Sequence, residues 1–382
     1  MSLTVGVDAS VVASSSGGTR VYALQLLTHL LEVRPDWRFV LYLRKLAETE
    51  ALGSLASSPN VRATVIPGRP NALRIQVKLV PQLRRDGVDL FHSMGFFLPL
   101  RWRGPKVVTI HDMNVYTHAR EWLRGRTVLR WIDLALQTPL SVRAADRVIT
   151  DSEFSRAEIE RHLRSAKGKV SVIPLAADPY FREEPSPADR EVATAIAHGK
   201  PYVLSVGILS PMKNLGTLLH AFATSALPKG GVRLVLAGSD REGYGAALRE
   251  QASALGVGDS VDFTGFVPDS TLRALYWSAL CLVLPSHGEG FGLPLVEGMA
   301  AGAPILAADR QSIPEVLGAA GRLFDPADVA GLAGLLDRIA SEPGFRKEMA
   351  AAAAESRDRY SWVRTAEQTA VVYEEVLAAR RR

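Results

Sequence analysis

Short apolar, β-branched runs alternate with longer helix-like segments along this chain of 382 residues, and the alternation runs through twice. In the first pass the candidate strands are Leu3–Val7, Phe39–Leu43, Val61–Ile66, Asp89–His92, Val107–Ile110, Arg147–Thr150 and Val170–Ile173. Amphipathic stretches such as Val21–Leu31 and Leu73–Leu83 lie between them. Apolar strands alternating with helices predict a parallel sheet covered on both faces. A polar, proline-bearing passage from Asp178 to Lys200 reads as a linker. The pattern then restarts with Tyr202–Val206, Arg233–Ala237, Val261–Thr264, Leu280–Leu284, Pro304–Ala307 and Arg322–Phe324. Helices are expected between these strands at Leu215–Phe222, Tyr244–Ala254 and Leu293–Ala301, and at the end at Ala327–Ala340, Phe345–Arg357 and Trp362–Ala379. Two α/β domains in tandem follow, over 1–185 and 186–361.

The length is too great for one ordinary core and agrees with two domains. Hydrophobic residues at 47% and charged residues at 22% are ordinary for a soluble globular protein. Apolar runs are too short for a membrane-spanning helix, and Met1 to Val12 lacks a secretory pattern. The sole cysteine, Cys281, excludes an intramolecular disulfide and fits a reducing, cytoplasmic location; it reads as inert core. Charge is uneven: residues 1–175 carry 25 Lys/Arg against 15 Asp/Glu. That basic half suits an anionic acceptor or peripheral contact with the inner face of a membrane, or it is a set of solvated helix faces. Scattered basic residues without a binding motif argue against nucleic acid.

The most informative segment is Cys281 to Gly302, C-L-V-L-P-S-H-G-E-G-F-G-L-P-L-V-E-G-M-A-A-G. A buried strand ends at Leu284, a loop carries Gly288, Gly290 and Gly292, and Pro294 suits the first helical position. Such a loop turns backbone N–H groups toward an anion at the carboxyl end of the sheet. Glu289 on the loop and Glu297 one turn into the helix have seven residues between them. Carboxylates accept hydrogen bonds from vicinal hydroxyls of a hexose or ribose. A lone Glu297 is also explained by the helix dipole, but that does not account for Glu289 or the glycines.

The run E-G-F-G-L-P-L-V-E resembles the signature of family 4 of the glycosyltransferases, retaining enzymes of GT-B fold. The resemblance extends over nearly the whole chain. It takes in Gly17-Gly18, Asp89 to His92, Val107 to Asp112, Arg147 to Ser155, Val172 to Pro174, Val206-Gly207 through Lys213-Asn214, and Leu236 to Gly238. It implies two facing Rossmann-like domains with a donor cleft between them, and a last helix (362–382) that returns to the first domain. It further implies a nucleotide-sugar donor as substrate, no cofactor, and a glycan or lipid-linked acceptor, in surface polysaccharide synthesis. GDP-mannose and UDP- or dTDP-sugars all suit the motif. The catalytic residues it implies are His111 beside the transferred sugar, Lys213 on the leaving diphosphate and Glu289 on the sugar. Donor contacts fall on Gly17, Gly18, Lys213, Glu289, Gly290, Phe291, Gly292, Leu293 and Glu297, the last holding the ribose. Phe266 and Val267, after a strand, read either as base contacts or as an ordinary turn.

The sequence departs from the family at Ile208 and Met212, where an arginine usually stands; Arg20 and Arg241 are candidate replacements. With no Asp-any-Asp pair and no zinc-spaced His/Cys cluster, metal-independent chemistry is expected. His287 lines the pocket at most, and His92 reads as structural. The stretch Trp122–Trp131 reads as a packed helix or a lipid-resting one. Two other functions keep the same fold: a sugar-nucleotide epimerase or hydrolase, and a non-catalytic partner of an active transferase.

Overall fold

The computed structural model describes residues 3–13, 17–68, 73–117, 128–240 and 243–381. The chain divides into two compact units, Met1–Leu175 with Ser361–Arg382, and Ala176–Tyr360.

In the first unit β1 (Thr4–Asp8), β2 (Arg38–Leu43), β3 (Val61–Val65), β4 (Leu90–Ser93), β5 (Lys106–Thr109), β6 (Arg147–Thr150) and β7 (Val170–Val172) form one sheet, in the order β3-β2-β1-β4-β5-β6-β7. Every pairing is parallel, with Val5 opposite Phe39 on one side and Leu90 on the other. The central strands are buried on both faces, which explains their unbroken apolar runs. Helix Gly18–Val33 follows β1 and buries Tyr22, Ala23, Leu26, Leu27 and Leu30, a single face at helical spacing. The last helix, Trp362–Arg381, packs on it and belongs to this unit.

The second unit holds β8 (Tyr202–Val206), β9 (Arg233–Ala237), β10 (Val261–Gly265), β11 (Cys281–Leu284), β12 (Ile305–Ala308) and β13 (Arg322–Phe324), again all parallel, in the order β10-β9-β8-β11-β12-β13. Strand order reverses between β1 and β4 in the first sheet and between β8 and β11 in the second. Chain leaving two neighbouring strands in opposite directions opens a crevice at their carboxyl ends, where open α/β sheets bind ligands.

One expectation needs correction. The passage 178–200 is not a linker but part of the second unit, and the boundary falls at Leu175/Ala176 rather than at 185/186. Asp178 accepts a hydrogen bond from Tyr180 N and starts the turn Pro179–Arg182. Ser186 caps helix Pro187–Ile196 by accepting from Asp189 N at 3.2 Å, and the helix packs on Asp269–Ser278. Ser-Pro at a helix N-cap and first position is a start signal as much as a breaker.

Candidate functional site

At the second switch point the chain leaves β8 through Gly207 and turns at Pro211–Lys213 into helix Leu215–Thr224. Asn214 joins turn and helix in the left-handed conformation (φ 50°), which asparagine tolerates better than most residues. Its side chain donates to Pro326 O at 3.2 Å and accepts from Thr217 Oγ1 at 2.8 Å, so the turn before it is fixed. A Cβ at Gly207 would come within 3.3 Å of Lys213 Cε, and φ there is +149°. Glycine lets the lysine stem cross the strand end. Lys213 Nζ reaches Glu289 Oε1 at 2.5 Å.

Glu289 stands on the loop after neighbouring β11. Ser286, fully buried, donates its hydroxyl to Glu289 Oε1 at 2.6 Å, and Ser312 Oγ donates to the Glu289 carbonyl at 2.8 Å. The two loops are also tied by main chain, His287 N–H donating to Met212 O at 2.9 Å. Gly292 adopts φ 98° and precedes helix Leu293–Ala301, which no side chain caps. Pro294 has no N–H and Leu295 N–H donates to Gly292 O at 2.9 Å, so of the first three positions only the Leu293 amide is available to an outside acceptor. The helix spans Leu293–Ala301 as expected, with Pro294 in its first turn. Phe291 is buried, packing edge-on to Tyr360.

Glu297 lies one turn into that helix and is buried, with Tyr276 OH donating to its Oε2 at 2.7 Å. Burial raises its pKa to about 7; the Tyr276 hydrogen bond opposes the shift, and nearby Asp269 and Asp178 add to it. Tyr276 itself sits edge-on to Phe181, so the passage 178–182 supports the ribose-site candidate from behind. The segment 289–297 thus carries two acidic centres, one paired with Lys213 and one with Tyr276.

Phe266 and Val267 follow edge strand β10, and Phe266 is exposed. Cys281 is buried in β11 with its thiol pushed up to about 12 by burial, which keeps it inert. His287 is exposed at the loop. Ile208 and Met212 occupy the loop after β8, as the sequence placed them. Arg241 lies outside the described residues, as do Ser14 to Ser16 and 122–127 of the tryptophan-bearing stretch.

In the first unit Gly17 (φ 119°) and Gly18 are exposed at the start of helix Gly18–Val33, which no side chain caps. Arg20 stands in the first turn of the same helix. His111 follows β5, and its Nδ1 lies 2.7 Å from Asp151 Oδ2 at the end of β6. Burial disfavours a charged imidazole here, yet the Asp151 carboxylate outweighs it, with help from Asp112 and the Met94 main chain, and the pKa is raised above the ordinary value. The strand ends are cross-linked by Thr150 Oγ1 donating to Ile110 O at 2.7 Å and Ser155 Oγ to His111 O at 3.1 Å.

Sequence reading missed four residues of this arrangement as partners: Asp151, Ser286, Asn214 and Tyr276. Three of them sit inside motifs already singled out, D-S after β6, P-S after β11 and K-N after β8. Tyr276 had no local signal, because it reaches Glu297 from a separate helix. Among the described residues no cluster of three or more His, Cys, Asp or Glu could hold a metal ion.

Residues 16–180 match the family model described as Glycosyltransferase Family 4, and residues 189–356 that described as Glycosyl transferases group 1. The chain is 29% identical over 292 residues to the O-antigen chain mannosyltransferase B of Escherichia coli, covering 76% of this chain and 75% of that one. It is 30% identical over 326 residues to the MMP alpha-(1->4)-mannosyltransferase of Mycolicibacterium hassiacum, covering 81% and 76%. Among solved structures, Anabaena HepE in complex with UDP and glucose has the same fold, with a TM-score of 0.76 at 21% identity over 98% of this chain and 100% of that one. With both of its parallel-sheet units matched, the chain belongs to the family 4 glycosyltransferases, hexose-transferring enzymes of GT-B fold.

Proposed function

We propose that this enzyme moves a hexose, mannose foremost, from a nucleotide-diphosphate sugar to a glycan or lipid-linked acceptor with retention of configuration, in surface polysaccharide synthesis. The observation that carries the reading is the Lys213 ammonium, held beside Glu289 where the loops of β8 and β11 meet. As the glycosidic bond breaks, negative charge gathers on the departing diphosphate. A fixed cation there stabilises that charge more in the transition state than before it. Glu289 and the amides of Phe291 to Leu293 take the sugar hydroxyls, Glu297 the ribose, and Phe266 with Val267 the base. Gly17 and Gly18 are the first unit's candidates for phosphate contact, and His111 its candidate for sugar contact. Front-face attack fits this inventory, with a diphosphate oxygen taking the acceptor proton. It needs neither a protein general base nor a metal ion.

Mannose is placed first because two relatives are named as mannosyltransferases, one of them for O-antigen chains. A nucleoside diphosphate fits the complex in which HepE carries UDP and glucose. Thermal-shift measurement against GDP-mannose and a panel of UDP- and dTDP-sugars tests the reading, since a ligand of the native state raises its stability. The selected donor should then transfer, not merely hydrolyse. No shift with any nucleotide sugar would overturn the proposal.

Peripheral contact with an anionic membrane belongs to the same reading. No helix among the described residues is long and apolar enough to cross a membrane. Helix Val128–Ala144 nevertheless exposes Ile132, Leu136 and Leu140 one turn apart. Leu98 N–H donates to Ser141 Oγ on that helix, Gln76 donates to Leu98 O, and Leu100 N–H to Gln76 Oε1. The segments tied together in this way also carry exposed Leu73, Val77 and Leu100, with exposed Arg101, Arg103 and Arg143. An apolar strip with a cationic rim suits the headgroup region of an anionic bilayer.

A further inference from the structure

Tyr373, on helix Trp362–Arg381, points into the first unit with its hydroxyl 2.6 Å from His92 Nδ1. His92 Nε2 lies 2.8 Å from Thr109 Oγ1, and the same oxygen lies 2.8 Å from the Tyr22 hydroxyl. Tyr373, His92 and Thr109 are 0% exposed and Tyr22 is 1% exposed. The ring of Tyr22 meets that of His111 edge-on, with centroids 4.7 Å apart and planes at 83°. A file of four buried polar groups thus begins on the C-terminal helix and ends against the histidine that Asp151 holds from another side.

Apolar side chains of similar size would fill this space without desolvating two phenols, a hydroxyl and an imidazole. What the polar file adds is uniqueness, because a fully satisfied buried network permits few alternative rotamers. Each hydroxyl has one hydrogen to give, and a neutral imidazole has one N–H and one lone pair. The four groups therefore connect without a gap when His92 is neutral. Burial keeps it so, lowering its pKa to about 3, with the charge of His111 acting in the same direction. The order in the file fixes the Tyr22 ring, and an edge-on aromatic contact transmits that order because it depends on ring direction.

We propose that Tyr373, His92 and Thr109 are positioning residues that lock Tyr22 against His111 and so set the direction in which His111 presents its imidazole to the transferred sugar. The proposal rests on the sugar-facing role given to His111 above. It makes the C-terminal helix a part of the site's support rather than only a cover for helix Gly18–Val33. Fixing one ring in place matters because misplacing a reacting group by about an ångström costs on the order of 10²-fold in rate.

The test uses Tyr373→Phe and Thr109→Val, which each remove one hydroxyl with little change of shape, and Thr109→Ser, which restores one. GDP-mannose serves as donor, or the nucleotide sugar selected by thermal shift. Both hydroxyl-deleting variants should lose about tenfold in kcat, a part of the misplacement cost, with donor KM changed by less than about twofold. Thr109→Ser should recover most of the rate. The His111 imidazole, followed by its ¹⁵N resonances across pH, should titrate closer to an ordinary histidine in Tyr373→Phe than in the unaltered enzyme. Lowered melting temperature with unchanged kcat and unchanged His111 titration in both deletions would overturn the proposal. Should Tyr373→Phe fail to fold, the Thr109→Val and Thr109→Ser pair decides alone. His111→Ala, assayed alongside, separates the two readings. Full activity there removes the role of His111 itself, whereas an inactive His111→Ala beside unimpaired Tyr373→Phe and Thr109→Val removes only the relay.

Discussion

Lys213 Nζ lies 2.5 Å from Glu289 Oε1, the same oxygen that accepts the hydroxyl of buried Ser286 at 2.6 Å. The ammonium proposed for the leaving diphosphate and the carboxylate proposed for the sugar are thus direct partners. An incoming diphosphate competes with Glu289 for the ammonium, and Ser286 keeps the carboxylate in place meanwhile. Lys213→Ala should lower kcat on the order of 10²–10³-fold, the usual cost of losing one charge-stabilising donor. Turnover at saturating donor checks this, and near-normal values would remove the leaving-group role.

Glu297 supplies a pH dependence whose sign can be worked out. Its pKa in the folded protein, about 7, lies above the ordinary 4.5. Protonation therefore favours the folded state; this contribution is complete below the ordinary value and is lost as pH rises toward 7. A ribose diol donates both hydroxyl hydrogens, so binding selects the ionised carboxylate. Donor affinity should rise with pH through about 7, and calorimetry should record proton release. Glu297→Gln should weaken binding and flatten the profile. A pH-independent affinity in the unaltered enzyme would refute the ribose assignment.

The sheets were legible because parallel strands buried on both faces leave an unbroken apolar run, and the apolar runs place the thirteen strands of the described residues to within about a residue of their observed positions. The placement of Lys213 and Glu289 on loops and of Glu297 in the following helix was legible because the glycines and prolines around them mark the strand–loop–helix turn. Partners contributed by separate elements were not. Tyr276 meets Glu297 only because helix Asp269–Ser278 packs beside Leu293–Ala301, and Tyr373 meets His92 across 281 positions of sequence. The passage 178–200 was misread because Pro and Ser both break and begin helices, and packing on helix Asp269–Ser278 decided the outcome.

Asp151 gives His111 both its orientation and its raised pKa. Asp151→Asn keeps the shape and removes the charge. The carboxylate's contribution to stability is present below the ordinary histidine pKa and is lost as pH rises through the raised one. Urea unfolding should show Asp151→Asn destabilised at pH 5.5 and much closer to the unaltered enzyme at pH 9. Equal destabilisation at both values would mean that the pair does not titrate as described. Turnover should fall at both, since the imidazole loses its orienting partner.

The exposed stripe of Ile132, Leu136 and Leu140 makes a prediction separable from the chemistry. Each large apolar side chain moved out of water contributes roughly 1.5–3 kcal/mol at full burial, and partial immersion gives a fraction of that. Basic neighbours add roughly 1 kcal/mol each near an anionic surface. Leu136→Ser with Leu140→Ser should therefore release the protein from phosphatidylglycerol-containing vesicles in flotation. It should leave the melting temperature and transfer to a water-soluble acceptor unchanged, because both side chains already face solvent. Binding should weaken with salt, since the cationic rim is screened, and should be far weaker on purely zwitterionic vesicles. Vesicle binding that survives the double substitution would place the contact elsewhere, and absence of binding in the unaltered enzyme would leave the acceptor to be sought among soluble glycans.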